Sequence, residues 1–465
     1  MKKFFQSLFS KDSDLNHIET AGGKLSLMGL FWPLLIETVL RNLMNTVNTV
    51  ILSGYSDQAA TAVGIAAQVL TLLTMSYIVI SNGASVIISQ HLGAGNRKRA
   101  VDIGTVSVVL VLVWAVIASI VFVVFAEGML GLMQTAPEFI PEAKTYLQIA
   151  SAFSIFESVT TILSAIARSY GNTKPSLITM IVMNTLNAIG GYIVIYRPFE
   201  TPFFGVEGIA IVREISAFVA MVVMIFLIMR SKLEFNRKSI FHGAWANIKS
   251  ILGIGLPNGV SFISYNFSQI VSTTIISMIG MTATTAKTYV TTVVFYVALA
   301  GMAIGQANSV MIGWLAGARQ FDRAYRILNR NLLITICLNM FFALTVILFR
   351  YQLIGMLTTD TEVIALAMPI FFIDFIVEIG RGMNNVCGNS LVATGDMKYY
   401  VTISVISCWV CSILFSYILG VVLGWGLAGC WISFAIDELF RGILCYSRWR
   451  SKKWQTKIKI EAEEA

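Results

Sequence analysis

The sequence predicts an all-α integral membrane protein: twelve transmembrane helices in two six-helix lobes, related by a pseudo-two-fold axis along the membrane normal. Three observations lead there. The chain is 56% hydrophobic and 12% charged over 465 residues, with mean hydropathy +0.76. Soluble domains carry about 25% charged residues, so this composition cannot cover a water-facing surface. The apolar runs are continuous and reach the roughly 20 residues that a helical span needs. A barrel would alternate apolar and polar residues along short strands. Finally, the sequence is duplicated. Pro33 returns as Pro257, Gly93 as Gly317, Ala100 as Ala324 and Gly171 as Gly395, all at one offset (257 − 33 = 224). GVEG from Gly205 returns as GLAG from Gly426 at 221, so the second copy is about three residues shorter in a loop.

Residues 1–24 are polar, with Lys2, Lys3, Lys11 and Lys24, and read as a cytoplasmic segment; no short apolar core precedes a small-residue cleavage site, so no signal peptide is expected. The N-lobe is expected over 25–230. Its spans are about 25–54, Ala59 to the QHLGAGNRKR turn, 104–126 closed by Glu127, and a fourth containing Glu157 that ends near Arg168. A fifth follows Lys174-Pro175, a proline suited to a first helical turn, and a sixth runs from about 206 to Met229. Residues 231–246 form a basic cytoplasmic linker. The C-lobe, 247–448, holds spans at about 247–280, 286–315, 329–349, 363–392, 399–423 and 427–447. The tail, 449–465, is basic and then acidic and reads as solvated or frayed.

Lys and Arg set the orientation. The N-terminus, the Arg97–Lys98–Arg99 loop, the Lys174 turn, the linker, the Arg319–Arg330 loop and the tail fall on one side; the opposite loops carry mainly acids, such as Asp57, Glu127, Glu200 and Asp360. Both termini are therefore expected in the cytoplasm, which demands an even number of spans. Six spans per copy put both copies the same way up. The basic excess, 33 Lys+Arg against 25 Asp+Glu, is thus a topology signal, and no nucleic-acid partner is expected. All six cysteines lie in apolar runs, so neither a disulfide framework nor a metal site is expected. Cys408-x-x-Cys411 has redox spacing but lacks the βαβ setting, and reads as helix packing. No helix-opening GxxxxGK[ST], zincin motif or nucleophile elbow is present. The chain reads as a non-enzyme without cofactor.

The paired halves, the repeated LGAGNRKRA / LAGARQFDRA loop, the SYGNTK / ATGDMK turns and GVEG / GLAG together resemble the MATE family, the multidrug and toxic compound extrusion transporters, over about 25–450. The resemblance implies a two-lobed, multi-pass antiporter of the bacterial plasma (inner) membrane, acting as a monomer. It would export organic cations or other amphipathic solutes in exchange for H+ or Na+. The alternatives are a flippase for a lipid-linked substrate and a membrane scaffold or receptor that has lost transport.

Glu37, Arg41, Asn45 and Asn48 share one face of the first helix. Their repeat equivalents, Ser261, Tyr265, Gln269 and Ser272, form a second polar stripe. Either face would be expensive against lipid, so each is expected to face protein or a wet cleft. Glu37 and Arg41 also have the favoured i,i+4 order for an ion pair. Glu157, Asp374, Glu378 and Arg381 are the remaining charges singled out inside spans, and Glu378 and Arg381 share a face at i,i+3. At about 2.5–3.5 kcal/mol per unpaired charge near the bilayer centre, they must be paired or hydrated. They are assigned with Glu37 and Arg41 to a charge cluster, read either as the coupling site, with Glu378 or Glu37 the protonatable member, or as a static network that only holds helices together. Asn45, Asn48, Asn187, Tyr265, Gln269, Tyr289, Tyr296 and Asn385 are assigned to the substrate cavity. Tyr289, Phe295 and Tyr296 could stack on a cationic ligand. The 20 methionines and many aromatic residues suit a pliable apolar site. The chain departs from the family pattern at Asn48, Gly191, Tyr265 and Arg381, where many members carry acids, so the family's ion sites do not transfer. The glycines at Gly93, Gly95 and Gly171 are expected to make tight cytoplasmic turns.

Overall fold

The computed structural model describes residues 17–20, 23–197, 203–231, 233–240 and 243–458, leaving out the side chains of 44–50, 53 and 237. Among these, twelve long helical segments follow one another. They are α1 Leu27–Ser53, α2 Asp57–Gly93, α3 Arg97–Val124, α4 (Ile140–Ala152 with Ile155–Ser169), α5 Lys174–Tyr196 and α6 Gly205–Arg230. The second six are α7 Ala244–Ile279, α8 Met281–Gly317, α9 Phe321–Leu348, α10 Thr361–Ala393, α11 Met397–Val422 and α12 Gly426–Arg450. Eight are single helices long and apolar enough to cross a membrane, and α4, bent by 51°, makes a ninth if it is one span. The other three, α1, α7 and α12, run for 27, 36 and 25 residues, longer than a span requires, but carry polar side chains such as Glu37, Gln269 and Asp437.

Several helices outrun their apolar stretches. α9 begins at Phe321 instead of about 329, because Arg323, Arg326 and Arg330 are good helix formers that hydropathy alone assigns to a loop. α3 carries Val113, Val116, Ile117, Ile120 and Val124 exposed, a face suited to acyl chains.

The chain forms two compact units, each with its own core. One comprises Trp32–Ile88 and Arg97–Leu256; the other comprises the chain up to Phe31, Ser89–Asn96 and the chain from Pro257 onward. The divisions inside α1 and α7 fall beside Pro33 and Pro257, the repeat-related prolines inside those helices. In the first unit Leu73, Tyr77, Ala115, Leu130, Leu147 and Ile209 interlock. In the second, Ile276, Val290, Ile354, Phe371, Val377 and Trp431 do the same.

The duplication extends to backbone detail. Gly171 and Gly395 turn at φ 77° and 86°, and Gly205 and Gly426 at 61° and 60°. Gly95 (φ 79°) corresponds to Arg319 (319 − 95 = 224), which keeps the left-handed turn at φ 55° without glycine. Gly93 is not a turn residue: it ends α2 against Trp314 of α8, where a Cβ would fall on the Trp314 carbonyl. Gly317 meets the Gln90 carbonyl of α2 in the same way, and Gln90 and Trp314 are themselves repeat partners (314 − 90 = 224). These contacts all lie within the second unit.

The expectation for the tail is corrected, and the N-terminal segment is seen to carry structure. The polar N-terminal segment includes a hairpin, His17–Thr20 with Gly23–Ser26, whose Ile18 is fully buried. Arg323 Nη2 of α9 donates to the His17 carbonyl at 2.8 Å. The tail is not frayed over its described part. Trp454 is fully buried, stacked on Trp449 at 4.1 Å and edge-on to Phe321 at 5.7 Å. Two aromatic faces outweigh the solubility of the flanking lysines. Cys408 and Cys411 are both free and buried.

Candidate functional site

On α1, the apolar run LFWPLLI keeps the helix intact around Glu37, which is buried at 7% exposure. Arg41 Nη2 and Arg168 Nη1, the latter from α4, each lie 3.3 Å from Glu37 Oε1, while Oε2 is buried without a partner. The i,i+4 pairing expected from the sequence is present. Arg168, which the sequence marked only as a helix end, adds a second guanidinium. The side chains of Asn45 and Asn48 lie outside the described residues.

Glu157 on α4 does not stand alone. Arg213 of α6 reaches its Oε2 at 2.8 Å and also holds Glu214 Oε1 at 2.5 Å. Glu214 is 4% exposed, and its Oε2 is buried without a partner. One turn before Glu157, Ser154 receives a hydrogen bond from Tyr77 at 2.8 Å and bonds Ser119 at 2.9 Å, tying α2 and α3 to this end of α4.

In the other unit, Asp374, Glu378 and Arg381 lie along one side of α10. Glu378 is fully buried and paired with Arg381. Its other carboxylate oxygen accepts a hydrogen bond from Asn339 Nδ2 of α9 at 3.0 Å. Asp374 accepts from the Trp431 indole of α12 at 3.1 Å. Asn339 fits because its neighbours are glycines. A Cβ on Gly301 of α8 would stand 2.8 Å from Asn339 Oδ1, and Gly382 of α10 lies against its other side. Beyond it, Asn331 Nδ2 donates to Asn308 Oδ1 at 2.8 Å, and Asn308 Nδ2 to Ser390 Oγ at 2.7 Å, all fully buried.

On α12, Arg441 lies 3.2 Å from Asp437 and 2.9 Å from Glu438. Ser407 of α11 donates to Asp437 at 2.5 Å, and Asn384 of α10 donates to Glu438. Asn384 opens a wide π turn, Asn384–Gly388, that interrupts the regular helix. Such turns recur at functional sites. Gly380 admits the α12 backbone at Glu438, where a Cβ would collide with it.

Three groups therefore share one composition, two carboxylates and one arginine: Glu157–Arg213–Glu214, Asp374–Glu378–Arg381 and Asp437–Glu438–Arg441. Fully ionised, each carries a net charge of −1. The Glu37–Arg41–Arg168 group has the opposite balance.

The residues assigned to one coupling cluster are thus spread over separate groups in two units. Among the cavity candidates, Asn187 is buried at 5% exposure on α5, whereas Tyr265 and Tyr296 are 41% and 47% exposed on α7 and α8. Tyr296 meets Phe295 edge-on at 6.2 Å. Tyr289 packs against the core of the second unit, and Gln269 is half-buried beside Tyr265's face. Asn385 lies in the π turn with a buried, unpartnered Nδ2. Sequence reasoning passed over Arg213, Glu214, Asp437, Glu438, Arg441 and Asn339. An Arg-Glu pair inside the apolar GIAIVREISAFVAM run was the available signal for the first two.

Comparison with known proteins bears on the whole chain. The MatE family profile matches residues 33–193 and again 257–418. YisQ of Bacillus subtilis, described as an uncharacterized transporter, is 36% identical over 430 residues, covering 92% of this chain and 94% of its own length. A probable multidrug resistance protein NorM of Thermotoga maritima is 25% identical over 442 residues, covering 94% of each. The crystal structure of MATE in complex with MaD3S superposes with TM-score 0.86 at 17% identity, over 95% of this chain and 98% of that one, a likeness of fold.

Proposed function

This chain belongs to the MatE family of transporters, and we infer that it is a secondary antiporter exporting amphipathic organic solutes from the cytoplasm in exchange for H+ or Na+ by alternating access. On this reading it is a monomer in the bacterial plasma membrane with both termini cytoplasmic, as the distribution of Lys and Arg favours. Relatives named as multidrug resistance proteins support the solute class.

The observation that carries the reading is the fully buried Glu378, held between Arg381 and Asn339. With Asp374 bonded to the Trp431 indole and Arg381 paired to Glu378, this side of α10 carries one more negative than positive charge in a low-dielectric interior. A proton or a sodium ion is the fourth partner that would balance it. Taking up that cation on one side and releasing it on the other would alter the Glu378–Arg381 pair within α10 and the hydrogen bonds that hold α10 to α9 and α12. That gives the two access states different affinities for the ion, which coupling requires. One charge moved across 100 mV supplies about 2.3 kcal/mol, enough for roughly fifty-fold accumulation.

Purified protein in liposomes, given imposed sodium or proton gradients and a dye panel, tests this. Glu378→Gln is expected to lower gradient-driven export at least tenfold, while Glu127→Gln, at the exposed Lys144 pair, leaves it unchanged. Full coupled export by Glu37→Gln, Glu157→Gln and Glu378→Gln, each tested singly, would sink the reading.

A further inference from the structure

Lys287, near the N-terminal end of α8, is a charge that the coupling groups do not use. It lies in α8 six residues after Met281, about 9 Å along the helix. Its Nζ donates to Thr273 Oγ1 of α7 at 2.5 Å. Thr273 stands six residues before the end of α7 at Ile279, the same distance from the helix ends. The ammonium thus stays level with its own Cα. A snorkelling lysine would reach outward, toward the headgroups.

No carboxylate accompanies it. The sequence has neither Asp nor Glu between Glu234 and Asp322, and Lys287 joins no ion pair among the described residues. Arg41, Arg168, Arg213, Arg381 and Arg441 each hold a carboxylate; Lys287 holds a hydroxyl. The Thr273 hydroxyl gives its own proton to the Gln269 carbonyl at 2.8 Å, so it accepts from the ammonium and orients it. Two of the three ammonium N–H groups are left for another acceptor.

Thr273, Thr274 and Ser277 on α7, and Thr288, Thr291 and Thr292 on α8, are exposed around Lys287. All but Thr291 give their hydroxyl protons to carbonyls of their own helix, which leaves their oxygens able only to accept. Lys287, Thr291 and Phe295 follow at i, i+4 and i+8 on one side of α8, so an exposed aromatic ring lies about 12 Å further in. That stripe offers a charge near the helix end and apolar contact beyond it.

We propose that Lys287 is an anion-binding point for the exported solute, which carries a carboxylate, sulfonate or phosphate on an apolar or aromatic body. The inference rests on the transport reading for the word "exported", but the binding it requires can be measured without transport. An organic cation, the class that the family resemblance implies, would meet an unneutralised ammonium on this face.

Fluorescein and rhodamine 123, dyes of similar size and opposite charge, are the probes. Their affinities for wild-type, Lys287→Arg and Lys287→Met protein in zwitterionic nanodiscs are read by fluorescence anisotropy. The wild type is expected to prefer fluorescein. Lys287→Met should weaken fluorescein at least tenfold and leave rhodamine 123 unchanged or tighter, which also shows that the variant is folded. Lys287→Arg should restore fluorescein binding. Equal effects on both dyes, no effect on either, or no binding of fluorescein by the wild type overturns the proposal. A loss seen only in nanodiscs containing phosphatidylglycerol would assign the lysine to lipid headgroups and overturn it as well. Lys287-dependent fluorescein binding without gradient-driven export would instead overturn the transport reading and leave the anion point standing.

Discussion

Arg213 shows what a single buried guanidinium does here. It pairs with Glu157 across the helix pair and with its chain neighbour Glu214. Arg213→Met leaves two acids without their cation, and is expected to destabilise the protein by about 3–5 kcal/mol, the usual result of breaking a buried pair from one side. Adding Glu214→Met should recover part of that, read from thermal unfolding in detergent. Asn339→Ala removes the amide that holds Glu378 and should cost about 1.5–3 kcal/mol, as for a hydrogen bond to a charged group. The pairs Glu37–Arg41 and Glu378–Arg381 were legible in the sequence because helical spacing fixes them. Glu157–Arg213 was not, because it depends on how α4 and α6 pack. Asn339 was invisible for another reason: an asparagine in an apolar run does not reveal which side it faces.

Helix crossings decide the next level. The 224-residue offset (317 − 93 = 224) marked Gly93 and Gly317 as important. What it could not say was whether they bend the chain or let two helices touch. They do the second, each against a backbone carbonyl of the other's helix. Gly93→Ala or Gly317→Ala should therefore destabilise by about 1–3 kcal/mol through overpacking. Gly64→Ala, with open space around its Cα, should show no such loss. The comparison is one of unfolding midpoints under the same conditions. Helix order and number were legible because apolar length specifies most of the spans and the repeat supplies the rest. The bend in α4, the π turn of α10 and the N-terminal extension of α9 were not, since each reflects side-chain packing or charge placement that hydropathy averages away.

For the molecule as a whole, duplication was the strongest sequence signal, and it returns as matching turns at Gly171 and Gly395 and at Gly205 and Gly426. The prolines add something that the offset did not reveal: each compact unit takes in part of a helix from the other copy, divided beside Pro33 and Pro257. The chain ends contribute too. Trp454→Ala removes a ring stacked on Trp449 and edge-on to Phe321 and should destabilise by about 3–5 kcal/mol. Differential scanning of the detergent-solubilised protein would register it. The central functional claim concerns Glu378 and is tested most directly by ion flux. Protein reconstituted with one dye inside the vesicles should move H+ or Na+ inward as dye leaves, and Glu378→Gln should abolish the ion movement that accompanies export. Dye export at wild-type rate with unchanged ion movement in that variant would contradict the account.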